Sequence, residues 1–295
     1  MNLATWAQEA AQQRRQRERR TQNVLITPAV FWLIVFFLLP LSIVLVYSFM
    51  QDDPGGGVIP ILNIENYVNL LNPDYFLIFW QSFNMAIANT LICLLISYPV
   101  AYFITRRPPR TRALLMMLVI VPFWTNFLVR TYAWKVVLGA NGIISSSLMA
   151  IGLIDRPLRL LYTQTAVMIG LVYSYLPFML LPIYANLEKF DHTLMEAAHD
   201  SGADNFWAFV RVMLPLSRPG IIAGSVLTFI PSISAYILST ILGGGKFFML
   251  GDLITREFTT YRDWPFASAI SITLMVMVSI GVFIYFRLTT EAERL

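Results

Sequence analysis

What most constrains this chain is where its charges are missing. Six intervals carry almost no Asp, Glu, Lys or Arg: Pro28–Tyr47, Ser82–Thr105, Ala113–Val136, Thr165–Leu187, Pro219–Leu242 and Phe266–Phe286. Each is about 17 residues or longer, enough for a helix to cross the hydrocarbon of a bilayer. The third is free of charge only to Val129. Arg130 and Lys135 fall at its outer end, where long side chains reach back to the interface. Hydrophobic residues make up 57% of the chain and charged ones 13%. That charged share is about half of what soluble domains carry, too little to cover a water-facing surface. The pattern predicts an all-α membrane protein with six transmembrane helices. Pro40, Pro99, Pro122, Pro177, Pro182 and Pro231 lie inside these intervals, so kinked helices are expected.

Basic residues set the orientation. Residues 1–23 form a polar arm holding Arg14, Arg15, Arg17, Arg19 and Arg20. The apolar run after it is too long for a signal-peptide core and no small-x-small cleavage site follows, so it reads as a first span that is kept. With the arm on one side lie Arg106, Arg107, Arg110, Arg112, Lys189, Arg211, Arg218, Arg287 and Arg294. The other side holds Arg130, Lys135, Arg156, Arg159, Lys246, Arg256 and Arg262, which completes the 21 basic residues as 14 against 7. The positive-inside rule then puts both termini in the cytoplasm. A net charge of +4, clustered beside apolar runs, is a topology signal and not a nucleic-acid footprint.

The longest polar interval after the first third runs from Leu187 to Pro219, on the cytoplasmic side by that rule. Thr193 and Glu196 have capping-box spacing, so a helix is expected to begin at Thr193. Gly202 suits a left-handed helix end. Asp204 can cap a second helix, with Phe206, Phe209, Val210 and Met213 at helical spacing. Pro215 is expected to end it. The pattern Glu196-Ala197-Ala198, Gly202, Val212 and Leu214-Pro215 resembles the signature loop of ABC-importer permeases; Val212 stands where that family more often has Ile. The resemblance implies that this loop docks into a groove on an ATPase subunit.

Further features narrow the resemblance. Pro122-Phe123-Trp124-Thr125-Asn126 followed by Arg130, the Leu181-Pro182 step and Arg262-Asp263-Trp264-Pro265 are similar to the spermidine/putrescine-type permeases, the first of their two permease subunits. The implied fold is that of a type I ABC importer permease with cytoplasmic coupling helices. Its domains would be the basic arm (1–23), the first span with its outer loop (24–81), the core permease domain (82–287) with the coupling loop 188–218, and a tail (288–295). The resemblance also implies partners: a second homologous permease, two ATPase subunits carrying ATP and Mg, an extracytoplasmic solute-binding protein, and the lipid bilayer of a bacterial inner membrane. This chain itself would bind no cofactor, metal or nucleic acid.

Chemistry elsewhere is sparse. Gly243-Gly244-Gly245-Lys246 lacks the spacing and hydroxyl of a phosphate-binding loop, and no hydrolase or zinc motif occurs. Cys93 is the single cysteine and excludes an internal disulfide. A stand-alone secondary transporter is the competing class. Such carriers place ionisable groups deep in their spans, and here the span centres have none.

The outer loops supply the remaining candidates. Gln51–Gln81 reads as a packed surface element, and Leu138–Gln164 carries turn signals at Asn141-Gly142 and Asp155-Arg156-Pro157. In Gly243–Pro265 the carboxylates Asp252, Glu257 and Asp263 alternate with Tyr261 and Trp264, a composition suited to a cation or a partner protein and equally to a solvated loop. Trp124 and Asn126 fit either a solute path or interhelical packing. Polyamine permeases often carry an acid in the fifth span, whereas Pro231–Thr240 has only the hydroxyls of Ser232, Ser234, Tyr236, Ser239 and Thr240. Either the sister permease supplies that charge or the solute is a less cationic small organic molecule.

Overall fold

The computed structural model describes residues 26–191 and 193–292. The basic arm expected at 1–23 lies outside the described residues. Among the described residues thirteen helices and one hairpin follow in order. They are α1 (Ile26–Tyr47), β1 (Met50–Asp52), β2 (Val58–Leu62), α2 (Glu65–Asn69) and α3 (Pro73–Thr105). Then come α4 (Pro109–Phe123), α5 (Phe127–Val137), α6 (Ile143–Ala150) and α7 (Gln164–Leu187). The polar stretch forms α8 (Thr193–Asp200) and α9 (Asn205–Leu216). The chain ends with α10 (Arg218–Ile233), α11 (Tyr236–Leu238), α12 (Leu250–Arg256) and α13 (Trp264–Ala292).

Four helices are long and apolar enough to cross a membrane: α1, α3, α7 and the Trp264–Phe283 part of α13. Among the described residues two bent pairs pass the same test, α4 with α5 at 88° and α9 with α10 at 64°, which gives up to 6 spans if each pair counts as one. The third charge-free interval is therefore a broken span. Asn126 starts its second half by accepting from Leu128 N at 2.9 Å and Val129 N at 3.4 Å. Arg130 does not reach out to the interface as its position in sequence suggests. It is 8% exposed, and its Nη1 donates to the Phe123 carbonyl at 3.1 Å. The guanidinium lies 5.1 Å from the Phe123 ring centre and 5.7 Å from those of Phe127 and Tyr173. Carbonyls left open at a helix end, and aromatic faces, offset the cost of burying that cation.

The fifth interval also breaks. Ala235 is extended (φ −69°, ψ 96°), and the chain resumes as α11 with a π-turn over Ser239–Gly243. Pro231 removes a backbone donor just before the break, and Tyr175 Oη donates to the Pro231 carbonyl at 3.2 Å.

The described residues form two compact units, one of residues 26–68 and 262–274, the other of 69–261 and 275–292. In the first, β1 and β2 pair antiparallel and Gly57 bridges Asp263. Asn66 Nδ2 donates to the Ser48 and Met50 carbonyls at 3.2 and 2.8 Å, so the outer loop is pinned to the end of α1. In the second, α3, α7 and α10 pack on one another. Cys93, Ala101, Ile104, Met179, Leu180, Ile183 and Leu187 are buried in this core. The α7–α10 seam is glycine-lined. A Cβ at Gly224 would stand 2.9 Å from the Met179 carbonyl oxygen, and one at Gly220 would stand 2.8 Å from that of Pro182. Four-residue spacing of small residues is how membrane helices bring backbones together. Asn89 Nδ2 then donates to Ser232 Oγ at 2.7 Å, tying α3 to α10.

Candidate functional site

The polar stretch folds as a helix, a tight turn and a second helix. Thr193 is the first residue of α8, but the cap comes from Asp191, whose Oδ1 accepts from Thr193 N at 3.0 Å. The Thr193–Glu196 box expected from the sequence is replaced by a cap from two residues upstream. Gly202 has φ +87°. Ala203 N donates to the Ala198 carbonyl at 3.0 Å and Gly202 N to that of His199 at 2.9 Å, the paired bonds that close a helix on a left-handed residue. Asp204 Oδ1 accepts from Trp207 N at 2.7 Å and opens α9. Pro215 does not end that helix, which continues to Leu216. The turn Phe209–Met213 is widened to a π-turn, with Leu214 N donating to the Phe209 carbonyl. That widening accommodates the ring and missing donor of the proline. The chain bends instead at Ser217.

Two faces result. Met195, Ala208 and Met213 are buried in the same core as Ile104 and Leu187. Glu196, Ala197 and Gly202 are exposed, and Ala198, Leu214 and Pro215 are half-buried. Phe206 shares the helical spacing of Phe209, Val210 and Met213, yet it is 65% exposed, with Trp207 beside it at 47%. Adjacent helix positions diverge by about 100° and cannot share one face, which was the sequence signal that at least one of these rings turns outward. Apolar rings amid charges mark a surface suited to a protein partner. Arg211 stacks on the Trp207 ring at 4.5 Å.

Beside α8 lies a cleft of about 580 Å³ lined by Arg106, Arg107, Arg112, Glu188, Glu196 and His199. Arg112 Nη1 donates to Glu188 Oε1 at 2.9 Å and its Nη2 to the Thr105 carbonyl at 2.7 Å. Tyr184 Oη donates to the same Glu188 oxygen at 2.9 Å. The tyrosine donor, then the arginine donor, hold the Glu188 carboxyl below the ordinary carboxylate range. With a folded pKa below the unfolded one, the pairing is intact at neutral pH and is lost only as pH falls through that lowered value. An exposed pair adds little stability, so its role is to fix the ends of α3, α4 and α7 together.

The candidate solute-path residues fall into separate places. Trp124 is 80% exposed at the break in the third span, and Asn126 is the local cap described above. Tyr236 is 43% exposed at the start of α11. Asp252 and Glu257 are 8% and 6% exposed, so this part of the third outer loop is not a solvated loop. It folds inward because α12 packs its Gly251 against the break in the fifth span. The fifth span lacks an acid of its own, but Asp252 accepts hydrogen bonds from Ser239 and Thr240 of that span. Ser232 and Ser239 are buried among helices, whereas Ser234 is exposed. Asp263 caps α13, its Oδ1 accepting from Phe266 N at 2.9 Å; burial, then the charge of Asp52, pushes its carboxyl upward. Trp264 next to it is 42% exposed. Among the described residues no cluster of three or more His, Cys, Asp or Glu is placed to hold a metal.

Residues 94–291 match the family described as binding-protein-dependent transport system inner membrane component. The chain is 45% identical over 266 residues to the spermidine/putrescine transport system permease protein PotB of Haemophilus influenzae, an alignment covering 90% of this chain and 93% of that one. It is 41% identical over 263 residues to PotB of Escherichia coli, covering 89% and 96%. Among solved structures it is similar to a chain of a bacterial alginate ABC transporter in complex with alginate pentasaccharide-bound periplasmic protein. There the TM-score is 0.75 at 14% identity over 91% of this chain and 93% of that one, a likeness of fold.

Proposed function

Given that this chain belongs to the binding-protein-dependent transport system inner-membrane components, we propose that it is the first permease subunit of an ATP-driven importer of polyamines. The observation that carries the reading is the 45% identity to a spermidine/putrescine permease along 90% of the chain. The chain is a multi-pass inner-membrane permease of helical type I fold. Its sister is a second homologous permease. Two separate ATPase chains bind ATP and Mg, and an extracytoplasmic protein delivers the solute. This chain binds no cofactor.

The α8–α9 loop is the docking element. Glu196, Ala197 and Gly202 present the signature face, Leu214 and Pro215 hold the second helix at its angle, and Phe206 and Trp207 enlarge the apolar contact. ATP-driven closure of the ATPases moves this loop and switches the bundle between inward- and outward-open states, a rigid-body change biased by differential contacts. Of the candidates, Trp124, Tyr236, Asp252 and Glu257 are the ones we assign to the solute path, while Asn126 and Asp263 act as helix caps. A stand-alone carrier is disfavoured by the absence of charge in the middle of the spans.

Membrane vesicles holding the complete complex are expected to accumulate labelled spermidine and putrescine only with ATP and the binding protein. Transport of a neutral or anionic solute, and of neither polyamine, would retain the permease and reject the polyamine. Orientation has its own check. In a Cys93→Ser background, a cysteine at Gly56 or Asn141 should react with an impermeant thiol reagent added outside. One at Arg110 or Asp200 should react only after the membrane is opened. The reverse pattern would invert the topology and leave the docking loop facing away from ATP.

A further inference from the structure

The third outer loop conceals a charged cavity. The carboxylate of Asp252 accepts from Ser239 Oγ, from Thr240 Oγ1 at 2.5 Å and from Met249 N at 3.0 Å. The approach depends on Gly251. A Cβ there would stand 2.3 Å from the Ser234 carbonyl oxygen, so only glycine lets α12 close on the break in the fifth span.

One donor to this group is shared. The single proton of the Ser239 hydroxyl is within reach of three acceptors: the Asp252 carboxylate and the carbonyls of Ala235 and Tyr236, both at 2.9 Å. A hydroxyl donates once, so it serves only one of them at a time, although the Tyr236 carbonyl also accepts from the Ser239 amide. Asp252 also forms no ion pair among the described residues. Arg256, one turn further along α12, is engaged elsewhere. Its Nη2 donates to Tyr261 Oη at 2.6 Å, and its guanidinium lies 4.9 Å from the Tyr261 ring centre and 5.6 Å from that of Phe248. Burying a carboxylate without a counter-charge is costly, and burial raises the Asp252 carboxyl despite its three donors.

This carboxylate opens on a cavity of about 200 Å³ lined also by Thr240, Phe247, Phe248, Thr255 and Arg256. An entering group that brings positive charge and N–H donors supplies the missing counter-charge. We propose that this cavity binds one primary ammonium group of an aliphatic amine, with Asp252 as its counter-charge. The proposal rests on the polyamine reading and names the residue that recognises the solute. Arg256 on the cavity wall opposes the same charge, which keeps the site weak enough to release what it admits.

The test uses the complete complex in vesicles with saturating, putrescine-loaded binding protein, at equal recovery of assembled complex. Asp252→Asn preserves the size of the side chain and removes its charge. It should lower the maximal putrescine uptake rate by about tenfold or more, the scale of one lost charge-assisted hydrogen bond. Asp252→Glu should restore part of that rate. Arg256→Gln leaves the carboxylate in place, so it reports even if Asp252→Asn fails to assemble. It should strengthen retention of labelled putrescine by the complex in the absence of binding protein. Wild-type rates and retention in Asp252→Asn and Arg256→Gln would overturn the site while leaving polyamine import intact. Wild-type complex that moves neither putrescine nor spermidine would overturn polyamine import and the site with it.

Discussion

Gly224→Leu is expected to abolish recovery of folded permease. At this position α10 meets α7 backbone to backbone. An added Cβ would lie 2.8 Å from Met179 Sδ, 2.9 Å from its carbonyl oxygen and 3.2 Å from its Cα. The thioether can swing aside, but the main-chain atoms cannot. Overpacking a well-filled interior commonly costs about 1–3 kcal/mol, and a clash against backbone falls at the top of that range or beyond it. Prising the helices apart also breaks the buried Asn89–Ser232 bond. Leaving that amide unsatisfied adds about 1–3 kcal/mol. Together these approach the whole stability of many domains. The measurement is the yield and thermal unfolding midpoint of purified complex. Gly281→Ala is the control, because a Cβ there meets nothing within 4 Å. Wild-type unfolding of Gly224→Leu would refute a backbone-contact seam.

The second large effect is expected without loss of folding. Gly202 sits at φ +87°, and a Cβ added there meets nothing within 4 Å. Gly202→Val therefore introduces no clash. It penalises the left-handed residue by about 1–2 kcal/mol, more for a β-branched side chain. The two hydrogen bonds that close α8 depend on that conformation, so the turn re-forms at another angle and the docking face is displaced. Glu196→Ala removes an exposed carboxylate from the same face. Both variants should insert in the membrane and copurify with the sister permease at wild-type levels. Solute uptake, and the ATP hydrolysis stimulated by loaded binding protein, should fall together by more than about tenfold, which needs only 1.4 kcal/mol of lost coupling. Near-normal uptake at equal protein levels in both variants would reject the docking role.

The parts of this fold that are local in sequence were readable there. Charge-free intervals located the long helices, because a bilayer requires about 20 apolar residues for each crossing. Gly202 and Asp204 announced a helix stop and a helix start, since each acts on its own backbone. What escaped depends on partners distant in the chain or on a change of helical pitch. For Asp252 a cation or partner contact and a solvated loop fit the sequence equally, because nothing in its neighbourhood reveals that Ser239 and Thr240 come to meet it. Gly220 and Gly224 passed as unremarkable members of an apolar run until Pro182 and Met179 were seen against them. Pro215 stays inside its helix because a π-turn at Phe209–Met213 makes room for it, and regular 3.6-residue spacing does not describe such a segment. The Arg130 side chain was aimed outward by its place near a span end, but the break at Trp124–Asn126 offers it nearer acceptors.

The glycine seam has a mechanical consequence. Helices separated by a layer of flexible side chains can slide past one another by small rotamer changes, which is how shear motion is absorbed. Here α7 and α10 touch through main-chain atoms, and α3 is tied to α10 by a buried amide, so sliding would drive carbonyls into one another. The three helices behave as one stiff block. At Ser234–Ala235 the chain is held by the main-chain approach of Gly251, so the bend left for compliance is the one at Ser217. A displacement of α8 and α9 would then be taken up as rotation about Ser217, with the block above it acting as a strut.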